Sequence, residues 1–508
     1  MVVNIDGQSL KIEDVVRIAR RNEPIELEKE SADRIVRSRE VVEKLIAKRE
    51  KLYGISTGIG ELSNVLLSPD QLKEFQRYVV YSHAAGWGDP VAIDDARAAW
   101  LTRVNVLSKG HSGLRLVVVK TLIDMLNKGV TPVMCQKGSV GASGDLSPLG
   151  QGSLVLMGEG EAFYQGERMA GKQAMNKAGV PTIEYEARDG LATINGSNLV
   201  AGMGCLQVFD ADVLLKSSEV AAAMTLEALT PNMLAFDERI HKARGYEGAV
   251  ECAENVRRIV TGSEILKQKP QKVQESYSLR STPQVVGAAK DTLKFSRRMF
   301  EVEINGAGDN PLFFTDEGGI CLTGANFQGT PLAFALEYLG IALTTVGALS
   351  ERRMNRLVNP ALSMGLPAFL TKGAGMFSGM MLAQYTAASL VCENRVLSTP
   401  AATGSIPTAA DQEDFVSMAN TTAIKTKQIL KNSSAIFAIE LMAATQALDF
   451  RKPLNPGKGT QAAHDAVRKH ITHLEEDRPL YPDIMKLSKV VESGEILEAV
   501  EASVGKLK

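Results

Sequence analysis

Apolar residues recur at helical spacing over most of this chain. Between Ser31 and about Lys51, Ile35, Val41 or Val42, Leu45 and Ile46 fall on one face, which predicts an amphipathic helix. Ser68-Pro69-Asp70-Gln71 predicts a helix start, with Ser at the cap, Pro in the first position and Gln closing a capping box. Further helical stretches are expected near 205–229, 287–305, 331–356, 377–397 and 414–448. Their faces are rich in Ala, Gly and Thr, and several are apolar nearly all round, as suits helices inside a bundle. Strand signals are few. Residues 162–164 and 168–170 flank Gln165-Gly166, and 312–314 and 320–322 flank 316–319; both read as small hairpins. The predicted class is mainly α, a long central helical bundle with small β-hairpins. An N-terminal part over 1–200 precedes a bundle over 201–508, whose more charged stretch after Leu454 reads as a peripheral helical appendage.

Composition narrows the function. The chain has 508 residues, a net charge of −2, 44% hydrophobic and 23% charged residues. That length supports a large core and, alone, roughly two or three domains. The near-neutral balance argues against nucleic-acid or anionic-membrane partners, which call for clustered Lys and Arg. Residues 1–10 are mixed polar sequence and do not resemble a secretory leader. The apolar stretch 331–349 is interrupted by Glu337 and reads as a buried core helix, not a membrane span. Cys135, Cys205, Cys252, Cys321 and Cys392 are odd in number and lack C-x-x-C spacing, which points to a reduced, cytoplasmic setting. His470 and His473 are expected to share a solvated helix face among charged residues, and no catalytic metal is predicted.

The chemistry concentrates in Gly138-Ser-Val-Gly-Ala-Ser-Gly-Asp-Leu-Ser-Pro-Leu-Gly150. Gly144 has no Cβ, so its nitrogen can fold back towards the Ala142 carbonyl carbon. Ser143, between them, carries a β-hydroxyl that can leave as water. Ring closure with dehydration converts Ala142-Ser143-Gly144 into 4-methylidene-imidazol-5-one (MIO), an electrophile made from the chain itself. Asp145 is placed to assist the proton transfers and hold the loop. The run is not a nucleophile elbow, because Asp145 stands where glycine is needed, and it lacks a phosphate loop's Gly-Lys-Ser/Thr ending. A tight turn of small residues explains Ala142–Asp145 as well as a ring precursor does.

The full run resembles the signature of the aromatic amino acid ammonia-lyases and aminomutases, and the resemblance extends over roughly 5–480. It implies an ammonia-lyase/fumarase-like helical fold, a homotetramer whose sites draw on several subunits, and elimination of ammonia from an α-amino acid. Tyr53-Gly54-x-x-Thr57-Gly58-x-Gly60 matches the family loop that supplies a catalytic tyrosine, although alone it reads as a plain surface loop. His83 shares a helix face with Leu72, Phe75 and Val79; as a core residue it is unremarkable, but Ser82-His83-Ala84-Ala85-Gly86 resembles the side-chain-recognising segment of histidine ammonia-lyases. Gln274-Glu-Ser-Tyr277-Ser-Leu-Arg280 resembles the family's second tyrosine and carboxylate-binding arginine, the guanidinium fork suiting a carboxylate. Asn195 matches an asparagine at the electrophile or substrate, and Phe327 the aromatic residue beside the ring.

Met381 and Glu413 match positions lining an imidazole pocket, where a carboxylate can accept from an imidazole N–H. The chain departs from the histidine ammonia-lyase pattern at Ser56 and Ile59, and at Gln328, Thr399 and Phe415, where histidine is usual. Glu61 and Gln384-Tyr385 resemble tyrosine aminomutases. The expected reaction is L-histidine to trans-urocanate. Its alternatives are a tyrosine or phenylalanine ammonia-lyase, a 2,3-aminomutase, or a catalytically inactive helical scaffold.

Overall fold

The helix Pro69–His83 begins where its capping chemistry dictates, in a computed structural model that describes residues 2–270 and 272–508. The Gln71 amide donates to Ser68 Oγ at 3.4 Å, and the Ser68 amide donates to Gln71 Oε1 at 2.8 Å. Two donors that a first turn leaves orphaned are thereby satisfied. Ser68→Ala is expected to destabilise this turn by about 1 kcal/mol. Hydrogen exchange at the Gln71 amide should then quicken by about fivefold if local opening governs it; unchanged exchange would show that the cap contributes nothing.

Contact density divides the chain into two units. One comprises Met1–Phe209, Ser296–Glu337 and Pro400–Ile424; the other comprises Asp210–Phe295, Tyr338–Thr399 and Lys425–Lys508. In the first, the helix Ile93–Ser108 is buried almost all round, Trp100, Leu101, Val104 and Leu107 among its core residues. It also buries two arginines. Arg97 donates to the carbonyls of Ile18, Ala19 and Leu126, near the C-terminal ends of the helices Ile12–Arg21 and Leu116–Lys128. Arg103 pairs with Asp309 at 3.1 Å and donates to Gly308 O and Asn198 Oδ1. Arg188 holds Asp309 from the other side at 2.7 Å. Fully buried charges persist only when paired in this way. The result is a fixed loop, 305–311, behind residues 195–198.

Both expected hairpins form, as Glu161–Tyr164 with Glu167–Ala170 and Leu312–Phe314 with Ile320–Leu322. Thr131–Pro132 adds a third strand to the former. Two pairings had no signal in the sequence: Val3–Ile5 runs parallel to Ile25–Leu27, and Trp87–Pro90 runs antiparallel to Cys135–Lys137.

The second unit is helical, with Glu247–Ile259, Met381–Leu397 and the parts from 210, 338 and 425 onward of three long helices, Asn198–Leu229, Thr330–Val358 and Ala419–Asp449. Arg353 forms a buried ion pair with Glu440, whose oxygens also accept from Ser350 Oγ (2.6 Å) and Thr225 Oγ1 (2.9 Å). After Leu454 the helices Lys458–Arg468 and Glu495–Val504 bury Ala463, Val467, Ile496 and Val500. Asn198–Leu229 and Thr330–Val358 are long and apolar enough to cross a membrane, but their most apolar windows are 78% and 61% buried within the fold.

Several boundaries differ from expectation. The helix predicted from 205 starts at Asn198 and runs through Gly202 and Gly204. Both glycines serve close packing: a Cβ on Gly202 would lie 2.4 Å from Ala99 N, and one on Gly204 2.0 Å from the Phe300 ring. The helix expected from 377 starts at Met381, because Asp477 accepts from the amides of Ser378 and Gly379 and holds them in a turn. The helix expected from 414 starts at Ala419, since Met418 is left-handed at φ 56°. His470 and His473 do not share a solvated helix face. They lie beyond the helix end at Arg468, with His470 Nε2 2.8 Å from Glu495 and His473 Nδ1 2.8 Å from Asp449.

Candidate active site

Ala142–Asp145 lies at the entrance to the helix Leu146–Leu156 and folds back on itself. Ser143 is buried and left-handed at φ 52°, with Gly144 at φ 84°. The Gly144 amide points back to Gly141 O at 3.4 Å. The turn is clamped from one side by Gly196, whose amide donates to Ser143 O at 3.1 Å and whose carbonyl accepts from Asp145 N at 2.8 Å. A Cβ on Gly144 would stand 2.2 Å from the Gly196 carbonyl carbon, so only glycine fits. Asp145 is buried beneath the turn. Its carboxylate accepts from Val200 N at 3.0 Å and Ser139 Oγ at 3.1 Å, and burial pushes its pKa up to about 6 despite those bonds.

Around this turn the first unit gathers most of the predicted side chains. Asn195 precedes the Gly196 clamp, and its buried Oδ1 has no partner among the described residues. Ser197 Oγ donates to Phe327 O at 2.8 Å, which ties the half-buried Phe327 segment to the clamp. The 413–418 loop reaches the turn through Met418 N, which donates to Val140 O at 2.9 Å. Among the described residues Glu413 Oε2 is buried with no hydrogen-bond partner, and burial raises the Glu413 pKa, with the Glu61 charge adding to the effect. Its other oxygen lies 3.3 Å from where a Cβ on Gly60 would stand. Gly60 N in turn donates to Tyr53 Oη at 3.1 Å, so Tyr53 and Glu413 share one corner. Desolvation raises the Tyr53 phenol, and the Glu413 charge raises it further.

His83 ends the helix Pro69–His83, packed where Gly150 allows close approach. Its Nδ1 lies 2.7 Å from Val79 O. A carbonyl can only accept, so Nδ1 carries the proton and Nε2 presents a lone pair. Burial lowers the His83 pKa, which keeps the ring neutral.

The second unit holds the remaining predicted residues. The single turn Tyr277–Arg280 stacks the Arg280 guanidinium on the Tyr277 ring, 4.6 Å from its centroid. Gln274, with its amide oxygen turned to the guanidinium, accepts from Arg280 Nη1 at 2.8 Å and Nε at 3.2 Å. Tyr277 is nevertheless 73% exposed. Met381 is half-buried at the start of the helix Met381–Leu397, on a different element from that trio.

The profile of the aromatic amino acid lyases matches residues 10–469. The chain belongs to that family. A histidine ammonia-lyase of Alkaliphilus oremlandii is 46% identical over 503 residues, 99% of each chain. Among solved structures, a tyrosine aminomutase from Streptomyces globisporus matches with a TM-score of 0.95 at 36% identity, covering 100% of both chains. Histidine ammonia-lyase from Trypanosoma cruzi matches at 0.93 and 36%, covering 99% of this chain and 96% of that one. The mainly α fold expected from the hydrophobic pattern is therefore the fold of this lyase family, and the protein is a carbon–nitrogen lyase.

Some positioning residues of this lyase escaped the sequence reading. Gln76 is buried on the helix Pro69–His83; its Nε2 donates to Gly54 O and its Oε1 accepts from Leu191 N, both at 3.0 Å. It thereby joins the Tyr53 loop to the segment leading to Asn195. A polar residue one heptad before His83 on an inward face was the available signal. Gly196 acts through its own backbone N–H and C=O, and Ser139 through a small hydroxyl that meets Asp145 Oδ1 and the Gly141 and Gly144 backbone, for which residue type gives little warning.

Proposed function

We propose that the protein eliminates ammonia from L-histidine to give trans-urocanate, using MIO formed autocatalytically from Ala142, Ser143 and Gly144. The observation that carries the histidine reading is the buried, unpartnered Glu413 Oε2 beside Tyr53. Such an oxygen is costly unless a ligand N–H satisfies it, and an imidazole offers one. The similarity to histidine ammonia-lyases over nearly the full chain supports the same reading.

The residues present fit the ring. The left-handed Ser143 and the Cβ-free Gly144 already form a reversed turn, and Asn195 Oδ1 is orphaned beside it. When formed, MIO supplies an electrophile that draws electron density from the amino group and makes it a better leaving group. Tyr53 takes the β-proton. Arg280, steadied by Gln274 and Tyr277, binds the substrate carboxylate in a bidentate fork. Tyr277 and Asn195 support the amine and the imidazolone, Phe327 flanks the ring, and His83, Met381 and Glu413 receive the imidazole.

The working form is a homotetramer. The exposure of Tyr277, and of Val273 (97%) and Phe415 (67%) beside functional residues, supports cover by neighbouring copies. Those copies would complete sites to which Gln274, Tyr277, Arg280 and Met381 contribute. Five free cysteines accord with a cytoplasmic setting.

Incubation with histidine, tyrosine and phenylalanine, followed by separation of unsaturated acids from β-amino acids, tests the reaction. Urocanate from histidine is expected; a β-amino acid from tyrosine would replace the reading with an aminomutase. Glu413→Gln tests the selector. An amide keeps the shape but removes the charge, and a hydrogen bond to a charged group is worth about 1.5–3 kcal/mol. A fall in kcat/KM for histidine of roughly ten- to two-hundredfold is expected, with much smaller losses on tyrosine or phenylalanine. Unchanged histidine kinetics would remove Glu413 from the imidazole site.

A further inference from the structure

Glu337 is the residue that interrupts the apolar run 331–349. It stands on the helix Thr330–Val358 with Leu336 and Leu339 fully buried around it, and is itself only 3% exposed. A carboxyl in such surroundings is costly unless donors meet it. Here three converge on one oxygen. Glu337 Oε1 accepts from Ala401 N at 2.6 Å, Ala402 N at 3.1 Å and Thr422 Oγ1 at 3.0 Å. Hydrogen bonds to a carboxylate are about twice as strong as those between neutral groups.

Ala401 and Ala402 open the loop 400–418, whose far end carries Glu413. From 403 to 415 the loop buries no side chain fully; only Thr408 and Glu413 are half-buried. Apolar packing within the chain therefore does not set its course, and polar bonds do. Glu337 fixes 401 and 402, and Gly404 N donates to Ala401 O at 3.0 Å. Val416 N then donates to Ser405 Oγ at 2.9 Å, which draws the two limbs together. Across the tip, Thr408 and Glu413 exchange backbone bonds. Thr422 brings the start of the helix Ala419–Asp449 to the same carboxyl. One buried oxygen thus joins the incoming limb of the loop to the element that follows its outgoing limb.

We infer that Glu337 is a positioning residue for substrate selection, setting the course of the loop that holds the Glu413 carboxyl at the Tyr53 corner. The inference rests on the reading of Glu413 as the partner of the imidazole. Glu337 Oε1 is occupied by the donors of the loop and its flanking helix, so its effect on histidine passes through Glu413. No proton or bond changes at Glu337 itself.

A double-mutant cycle on the purified full chain tests this, with kcat/KM for histidine measured in wild type, Glu337→Ala, Glu413→Ala and the double variant. Misplacing a binding group by about 1 Å can cost about a hundredfold, so Glu337→Ala should lower that value by roughly ten- to a hundredfold. In the Glu413→Ala background the same change should cost no more than about twofold, because the group it positions is gone. Glu337→Gln keeps an acceptor oxygen and should return to within about threefold of wild type. Intact mass should show the same loss of two waters in every form. Equal losses in the two backgrounds, a glutamine form as impaired as the alanine form, or a full-mass chain in Glu337→Ala alone would each overturn the inference. Histidine kinetics unchanged in Glu413→Ala would instead remove the selector reading, and this inference with it. If Glu337→Ala is insoluble, Glu337→Asp, which draws the carboxyl back by one methylene, takes its place in the cycle. Insolubility of both assigns Glu337 to folding and overturns the inference.

Discussion

Ser143→Ala is expected to yield a folded chain at its full sequence mass that turns over almost no substrate. Folding should survive because the substitution asks little of the backbone. Serine and alanine both carry a Cβ, so the left-handed φ of 52° costs each about the same, roughly 1–2 kcal/mol. The Gly196 clamp holds Ser143 by its carbonyl, which alanine retains. Alanine has no β-hydroxyl to expel, however, so no alkene can form and the electrophile is lost. Arg280 and Glu413 would still bind substrate, which predicts a much smaller change in KM than in kcat. The loss in kcat should exceed the roughly 10²–10³-fold that removal of one electrostatic donor costs. Thermal unfolding and intact mass separate this outcome from misfolding. Near-normal turnover would refute the mechanism, whereas activity in Ser143→Cys would agree with it, since loss of the thiol can give the same alkene.

What was legible in the sequence was whatever acts through side-chain type. Ser68 and Gln71 announced a helix start because their capping bonds are local and depend on those two residues alone. Tyr53, Arg280 and Glu413 could be singled out because the runs of residue types around them resemble the family's motifs, whereas each side chain alone has an ordinary structural reading. The missed features act through backbone or through absence. Ala409, Ala410 and Asp411 are left-handed one after another, with φ of 52°, 55° and 65°, a conformation no propensity suggests. A bridge closes the turn around it, the Thr408 amide donating to Glu413 O at 2.9 Å and the Glu413 amide to Thr408 O at 3.3 Å. Gly196 matters for the Cβ it leaves out beside Gly144. Strands of three residues, such as Val3–Ile5, are too short to show alternation. These properties exist only once distant segments are brought together.

Tyr53→Phe should lower turnover on every amino acid the enzyme accepts, which sets it apart from the selective effect of Glu413→Gln. A base that removes a proton in the transition state contributes about 10²–10⁴-fold, and a loss of that order in kcat is expected. The ring should still form, because Tyr53 takes no part in the dehydration of Ser143; an unchanged loss of two waters from the variant's mass verifies this. The pH profile carries a second signature. Burial, with the Glu413 charge behind it, holds the Tyr53 phenol above its ordinary value. Only the phenolate can accept the β-proton, so its fraction is small near neutrality and grows about tenfold per pH unit below the pKa. Wild-type kcat should therefore climb with pH on its alkaline side, and that limb should vanish in the phenylalanine variant, which has nothing to ionise. The hydroxyl also accepts from Gly60 N at 3.1 Å. Its removal leaves that amide unpaired and loosens the loop, at about 1–3 kcal/mol, which would act on KM and stability but would not erase a pH limb. A variant with kcat within a few-fold of wild type and the same alkaline rise would place the base elsewhere.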